Sequence, residues 1–333
     1  MTTRRWKRWL LGVCGLGLLA GLLVVARPSN VVHLAKQAEW SGLLVAFAWA
    51  VALAALRGLR LSMVSGGRLS VGPGLAVAAA GQLAVGVLPL RLGEVALVPL
   101  LAAAGVPGTV RGLSLLVVVR VLDLGAVLCC AVGVAFVVGR SPTVAGVTLL
   151  ALVVATVVAW QGGTAVLGQA VRRWRARRNW TRRLLRQLLQ VRRELRALGR
   201  APGRALACLV LSLLIWSSIW ALTVALLRAM HIGWPPGAVL LGVLGATVAS
   251  SLPINAFGNF GTQEAGWSAA LAGVGVDPAG ALAAGFATHL WTLVFQAVLG
   301  AVAILYLAAR QSGRRERTLR ASVTSFLSSR RDP

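Results

Sequence analysis

The chain has 333 residues, 58% of them hydrophobic, with a mean hydropathy of +0.80. Only 13% are charged, against about 25% in an ordinary soluble domain. Lys and Arg number 34 and Asp and Glu 8, a formal net charge of +26. Apolar residues gather in runs of roughly 20, the length that crosses a bilayer core of about 30 Å. These figures exclude a soluble globular enzyme, a secreted disulfide scaffold and a disordered chain. The arginines cluster in short polar segments between the apolar runs. That is the positive-inside pattern, with anionic phospholipid headgroups rather than nucleic acid as the counter-charge.

A basic start, MTTRRWKRWL, leads into an apolar run from residue 10 to 26. It reads as an uncleaved first helix with a cytoplasmic N-terminus and with Trp6 and Trp9 in an aromatic belt. The second span is about 40–64, and Arg57, Arg60 and Arg68 place its end inside. Gly72-Pro73-Gly74 reads as a turn. A run rich in Ala and Gly then breaks at Leu88-Pro89, passes Arg91, Gly93 and Glu94, and continues to Ala104. Neither half is long enough to cross alone, so 75–104 is expected to be a re-entrant hairpin. Residues 111–138 form one long span containing Arg120 and Asp123, 140–142 an outer turn, and 143–160 the return.

Residues 170–204 are the cytoplasmic basic segment. Between 172 and 204 there are thirteen Arg and a single acid, Glu194. Leucines at 184, 185, 188, 189, 195 and 198 recur near helical spacing, as in a basic amphipathic helix lying on the inner leaflet; a solvated loop helix is the alternative. Residues 205–230 cross outward and 231–236 turn. The second hairpin is 237–275, broken at Leu252-Pro253 and polar through Asn255, Gly258, Asn259, Gly261, Gln263 and Glu264. Residues 278–309 cross inward, and 310–333 form a basic tail. The expected fold is an all-α polytopic membrane protein in a single membrane domain. It has about six transmembrane helices plus two re-entrant helical hairpins in an inverted-repeat arrangement, with both termini cytoplasmic.

The two breaks share one pattern: a small-residue helix, Leu-Pro, a Gly-containing stretch, a Glu, then a short helix. Pro89 and Gly93 shape the first; Pro253, Gly258 and Gly261 shape the second. Broken backbone at membrane depth must line a cavity or be covered by protein, so substrate sites fall there. Ionisable groups at such depth cost about 2.5–3.5 kcal/mol each on insertion scales and are paired or used. The candidates are Arg91, Glu94, Arg120, Asp123 and Glu264. Spacing of three suggests Arg91 with Glu94 and Arg120 with Asp123. Glu264 has no cation within a turn and needs a distant partner, a proton or a substrate; Asn259 and Gln263 are polar neighbours. Cys14, Cys129, Cys130 and Cys208 lie in apolar runs, and His33, His231 and His289 are too scattered for a metal site. No nucleotide-binding, nucleophile-elbow or zinc-protease motif occurs, so neither a cofactor nor catalysis is expected.

These residues resemble the transmembrane (flippase-type) domain family of bacterial lysylphosphatidylglycerol synthetases. The likeness rests on Leu88-Pro89-Leu90-Arg91-Leu92-Gly93-Glu94, on Arg120-Val121-Leu122-Asp123-Leu124, and on Leu252-Pro253 through Gly258, Gly261 and Glu264, in order over about 10–310. It differs where that family often has Gly at Leu90 and Arg at Leu97 and Gln263. The resemblance implies a stand-alone member of the inner membrane that translocates a phospholipid or lipid-linked substrate, without the aminoacyl transfer of a following synthetase domain. Arg91, Glu94, Arg120, Asp123, Asn259, Gln263 and Glu264 would then meet the headgroup. A homo-oligomer or a cell-envelope enzyme partner is left open, as is a non-transporting accessory role.

Overall fold

The computed structural model describes residues 17, 19–88, 92–106, 108–137, 179–250 and 260–329. Pro89, Arg91, Pro253, Asn255, Gly258 and Asn259, and the expected crossing at 143–160, lie outside the described residues. Every described regular element is helical. After a helical stretch at 19–26 come α1 (Pro28–Lys36), α2 (Trp40–Val64), α3 (Val71–Val87), α4 (Leu92–Ala103) and α5 (Thr109–Val137). Then follow α6 (Asn179–Gly199), α7 (Pro202–Ala229), α8 (Pro236–Ser250), α9 (Thr262–Ala272) and α10 (Pro278–Ser329).

Four of these are apolar and long enough to span a bilayer: α2, α7, the Thr109–Cys130 part of α5 and the Pro278–Gly313 part of α10. They coincide with four of the six expected crossings. The protein is an all-α, multi-pass membrane protein. Helix starts are set by local chemistry: α1 and α7 begin with Pro in the first turn, where the missing N–H leaves no bond unmade.

The two expected hairpins are present as pairs of short helices. α3 and α4 have 17 and 12 residues, and α8 and α9 have 15 and 11. At 1.5 Å per residue the longest of these reaches about 26 Å, short of a hydrocarbon core of about 30 Å. Each hairpin is flanked by long helices in the same order: α2, α3–α4, α5, and again α7, α8–α9, α10.

Close backbone approach holds the second hairpin together. A side chain at Gly266 would collide with the backbone of Gly245, and one at Gly245 with Gly266 and Ala270. Small residues at such a crossing let dispersion contacts replace a hydrophobic drive that lipid does not supply. In the first hairpin Gly93 sits directly on the backbone of Ala84 and Val85. Val77, Leu101, Leu115 and Val118 form one core around the first hairpin. Val239, Trp267, Leu271 and Phe286 form another around the second, and Leu43, Ala46, Leu226 and Phe295 join α2, α7 and α10 between them.

One expectation is corrected, and three features go beyond the sequence reading. Gly72-Pro73-Gly74 is not a turn but the first turn of α3, where Pro is tolerated and where Gly74 lets α3 press on Ser62 and Gly58 of α2. The nine-residue helix α1, with Val31 buried, occupies the link between the first two apolar runs. The tail beyond 309 continues as helix to Ser329. The basic helix α6 is more than a surface helix: Val191 and Leu198 are buried against the bundle, and Gln187 reaches Ser114 of α5. Its lone acid, Glu194, is 7% exposed and meets Arg68 at 3.2 Å.

Candidate functional site

Between the two hairpins lies a cavity of about 620 Å³, within the range of about 300–1,000 Å³ usual for ligand sites. Both hairpin carboxylates, Glu94 and Glu264, line it, as do Arg120, Asp123 and Gln263. The cavity also takes Arg57, Arg60 and His289, which sequence reasoning assigned elsewhere. Thr247, Thr288, Thr292, Gln82 and Gln296 add neutral polar groups to an otherwise apolar wall.

On one side the charges form a chain across four helices. Glu94 Oε1 of α4 accepts from Arg120 Nη2 of α5 at 2.6 Å. Arg120 Nη1 lies 3.9 Å from Asp123 Oδ2, a loose contact one turn along. Asp123 Oδ1 takes its short bond, 2.6 Å, from Arg60 Nη1 of α2. The same nitrogen donates to Ser212 Oγ of α7 at 2.8 Å, and Ser212 in turn donates to the Cys208 carbonyl.

The expected Arg120–Asp123 lock is therefore the weakest link of the chain. The reason is burial. The Arg60 side chain is 3% exposed and that of Arg120 51%, and the buried cation gains more from a carboxylate because water cannot serve it. Arg91, the expected partner of Glu94, lies outside the described residues.

Arg57 and Arg60 also belong to the cavity wall. Positive-inside counting placed both at a cytoplasmic helix end, yet Arg60 is buried and Arg57 borders the cavity. Arg68, the third, is 43% exposed. Their spacing of three, in the midst of an apolar run, was the available signal that one helix face is polar.

On the other side Glu264 is held completely. It sits in the first turn of α9, where Gly261 has a φ of +92°, a conformation that favours glycine. The Gly261 N–H donates to Glu264 Oε2 at 2.7 Å, closing the start of the helix. Its other oxygen lies 2.5 Å from His289 Nδ1 of α10. That short contact is a hydrogen bond between the carboxyl and the imidazole. Phe260 stacks on the imidazole with centroids 4.1 Å apart. The distant partner that Glu264 requires is thus a histidine 25 residues on, which one-dimensional spacing does not show. Glu264 is 1% exposed and His289 7%.

Fold and site together define a multi-pass helical membrane protein whose two broken hairpins enclose a charged cavity. The family model for the lysylphosphatidylglycerol synthase transmembrane region matches residues 12–300. The chain belongs to that family, a family of membrane proteins that handle lipid. No curated protein and no solved structure matches it.

Proposed function

We propose that the protein is a lipid translocase of the bacterial inner membrane, moving a phospholipid or lipid-linked substrate between leaflets without covalent chemistry of its own. One observation carries the reading: Glu94 and Glu264, from opposite hairpins, line a single cavity. An accessory subunit needs no such convergence, and buried charges that served only packing would be an expensive choice at this depth. The basic helix α6 and the basic tail gather anionic lipid at the cytoplasmic face, and both termini lie on that side.

The test is leaflet-resolved lipid movement in proteoliposomes, wild type against Glu264→Gln at equal membrane abundance. Gln keeps an acceptor for the Gly261 N–H, so the helix start survives while the charge is removed. Loss of movement with normal insertion supports the reading. Wild-type protein that moves no lipid would hand the site to the accessory role. Unchanged movement in Glu264→Gln would remove Glu264 from the mechanism.

A further inference from the structure

The charged groups of the cavity divide into those that are satisfied and one that is not. Three carboxylates and three guanidinium groups line it. Glu94 is taken by Arg120 and Asp123 by Arg60, both at 2.6 Å. Glu264 has both oxygens engaged and is closed to contact at 1% exposure. Arg57 alone has neither a hydrogen bond nor an ion pair among the described residues. It stands on α2 one turn before Arg60, within electrostatic reach of Asp123, Arg60 and Arg120.

A half-buried guanidinium on a largely apolar cavity wall, without a partner among the described residues, leaves room for a ligand to supply the counter-charge. We infer that Arg57 is the phosphate-binding residue of the cavity, and that the lipid it takes is anionic rather than one with a cationic headgroup. This rests on the translocase reading and names its substrate class. A phosphodiester meets the fork of Arg57 without displacing any bond already made. Arg120, half-exposed on the same wall, adds a second cation to the field. A cationic headgroup, such as a lysine ester, would have to win Glu94 from Arg120 while facing Arg57 unpaired. Like charge at close quarters is a device that rejects the wrong partner.

The experiment uses the full chain purified in detergent and titrated by native mass spectrometry. The probes are dioleoyl phosphatidylglycerol and its lysyl ester, with inorganic phosphate as competitor. Wild type should hold phosphatidylglycerol about tenfold more tightly than the lysyl ester, the scale of one charge-assisted hydrogen bond. Arg57→Gln should lose about tenfold for phosphatidylglycerol and with it the preference, and Arg57→Lys, which keeps the charge but not the fork, should bind less tightly than wild type yet keep the preference. Should Arg57→Gln fail to fold, the wild-type preference and Arg57→Lys decide. Excess inorganic phosphate should leave the lipid bound; displacement would make a free anion the ligand and overturn the lipid assignment. Equal or tighter binding of the lysyl ester, or unchanged binding in Arg57→Gln, would overturn the inference outright. Selective binding without movement between leaflets sinks only the translocase reading; movement without selectivity sinks only this one.

Discussion

Replacing Asp123 by Asn tests the charge chain at its most buried link. Arg60 would lose its charged partner and keep only neutral ones, because both of its bonds leave from Nη1 and its Nε has none. Removing one member of a fully buried pair costs about 3–5 kcal/mol. Asp123 is 18% exposed to the cavity, and Asn retains a carbonyl acceptor, so the loss should fall nearer the about 1.5–3 kcal/mol of a hydrogen bond to a charged group. The control is Arg120→Gln. That side chain is 51% exposed and lies 3.9 Å from Asp123 and 2.6 Å from Glu94, and such exposed pairs are worth about 0.2–1 kcal/mol each. Thermal unfolding of the purified protein in one detergent, followed by loss of the monodisperse peak, gives the comparison. A double-mutant cycle of Arg60→Met with Asp123→Leu should show coupling of about 1–3 kcal/mol. Asp123→Asn as stable as wild type, with Arg120→Gln the more damaging, would refute the chain as described.

Gly266→Leu should keep α8 and α9 apart, since any side chain there meets the backbone of Gly245. Membrane abundance should collapse, whereas Gly280→Ala, where an added Cβ meets only the Asp277 carboxylate at 3.3 Å, should be tolerated. His289→Asn places an amide N–H close to the position of Nδ1 and should retain the bond to Glu264; His289→Leu should be less stable by about 1.5–3 kcal/mol in the same unfolding assay.

How much of this was legible depended on how local each cause is. Helix breaks are local: Pro in a first turn, Gly at a positive φ and runs too short to cross are written within a few residues. Pairs of short helices and four long apolar helices therefore stand at the expected positions. Partner choice is not local. Spacing of three made Arg120 and Asp123 look like a pair, and such a pair on one helix is worth about 0.2–0.5 kcal/mol. A desolvated Arg60 from another helix outbids it. The Gly72-Pro73-Gly74 stretch misled for the same reason, because a turn signal became a packing surface once α2 lay against it.

The sequence similarity of the two breaks suggested that Glu94 and Glu264 hold equivalent places, and the structure separates them. Each begins a short helix after a break and each reaches the same cavity. Glu264 is clamped by a backbone N–H and by an imidazole that is itself held under Phe260. Both of its oxygens are engaged and it is 1% exposed, so a ligand would meet it only by displacing one of those bonds. Glu94 is 23% exposed and tied only to Arg120, a side chain with room to move. Beside that pair stands Arg57, which lacks a partner among the described residues. The fixed charge thus lies on one hairpin and the exchangeable charges on and around the other. Under the phosphate-binding proposal, Arg120 and Glu94 would rearrange at small cost while Glu264 and His289 kept their places. One wall of the cavity is thus more loosely held than the other, and that division follows from burial rather than from the motif the two breaks share.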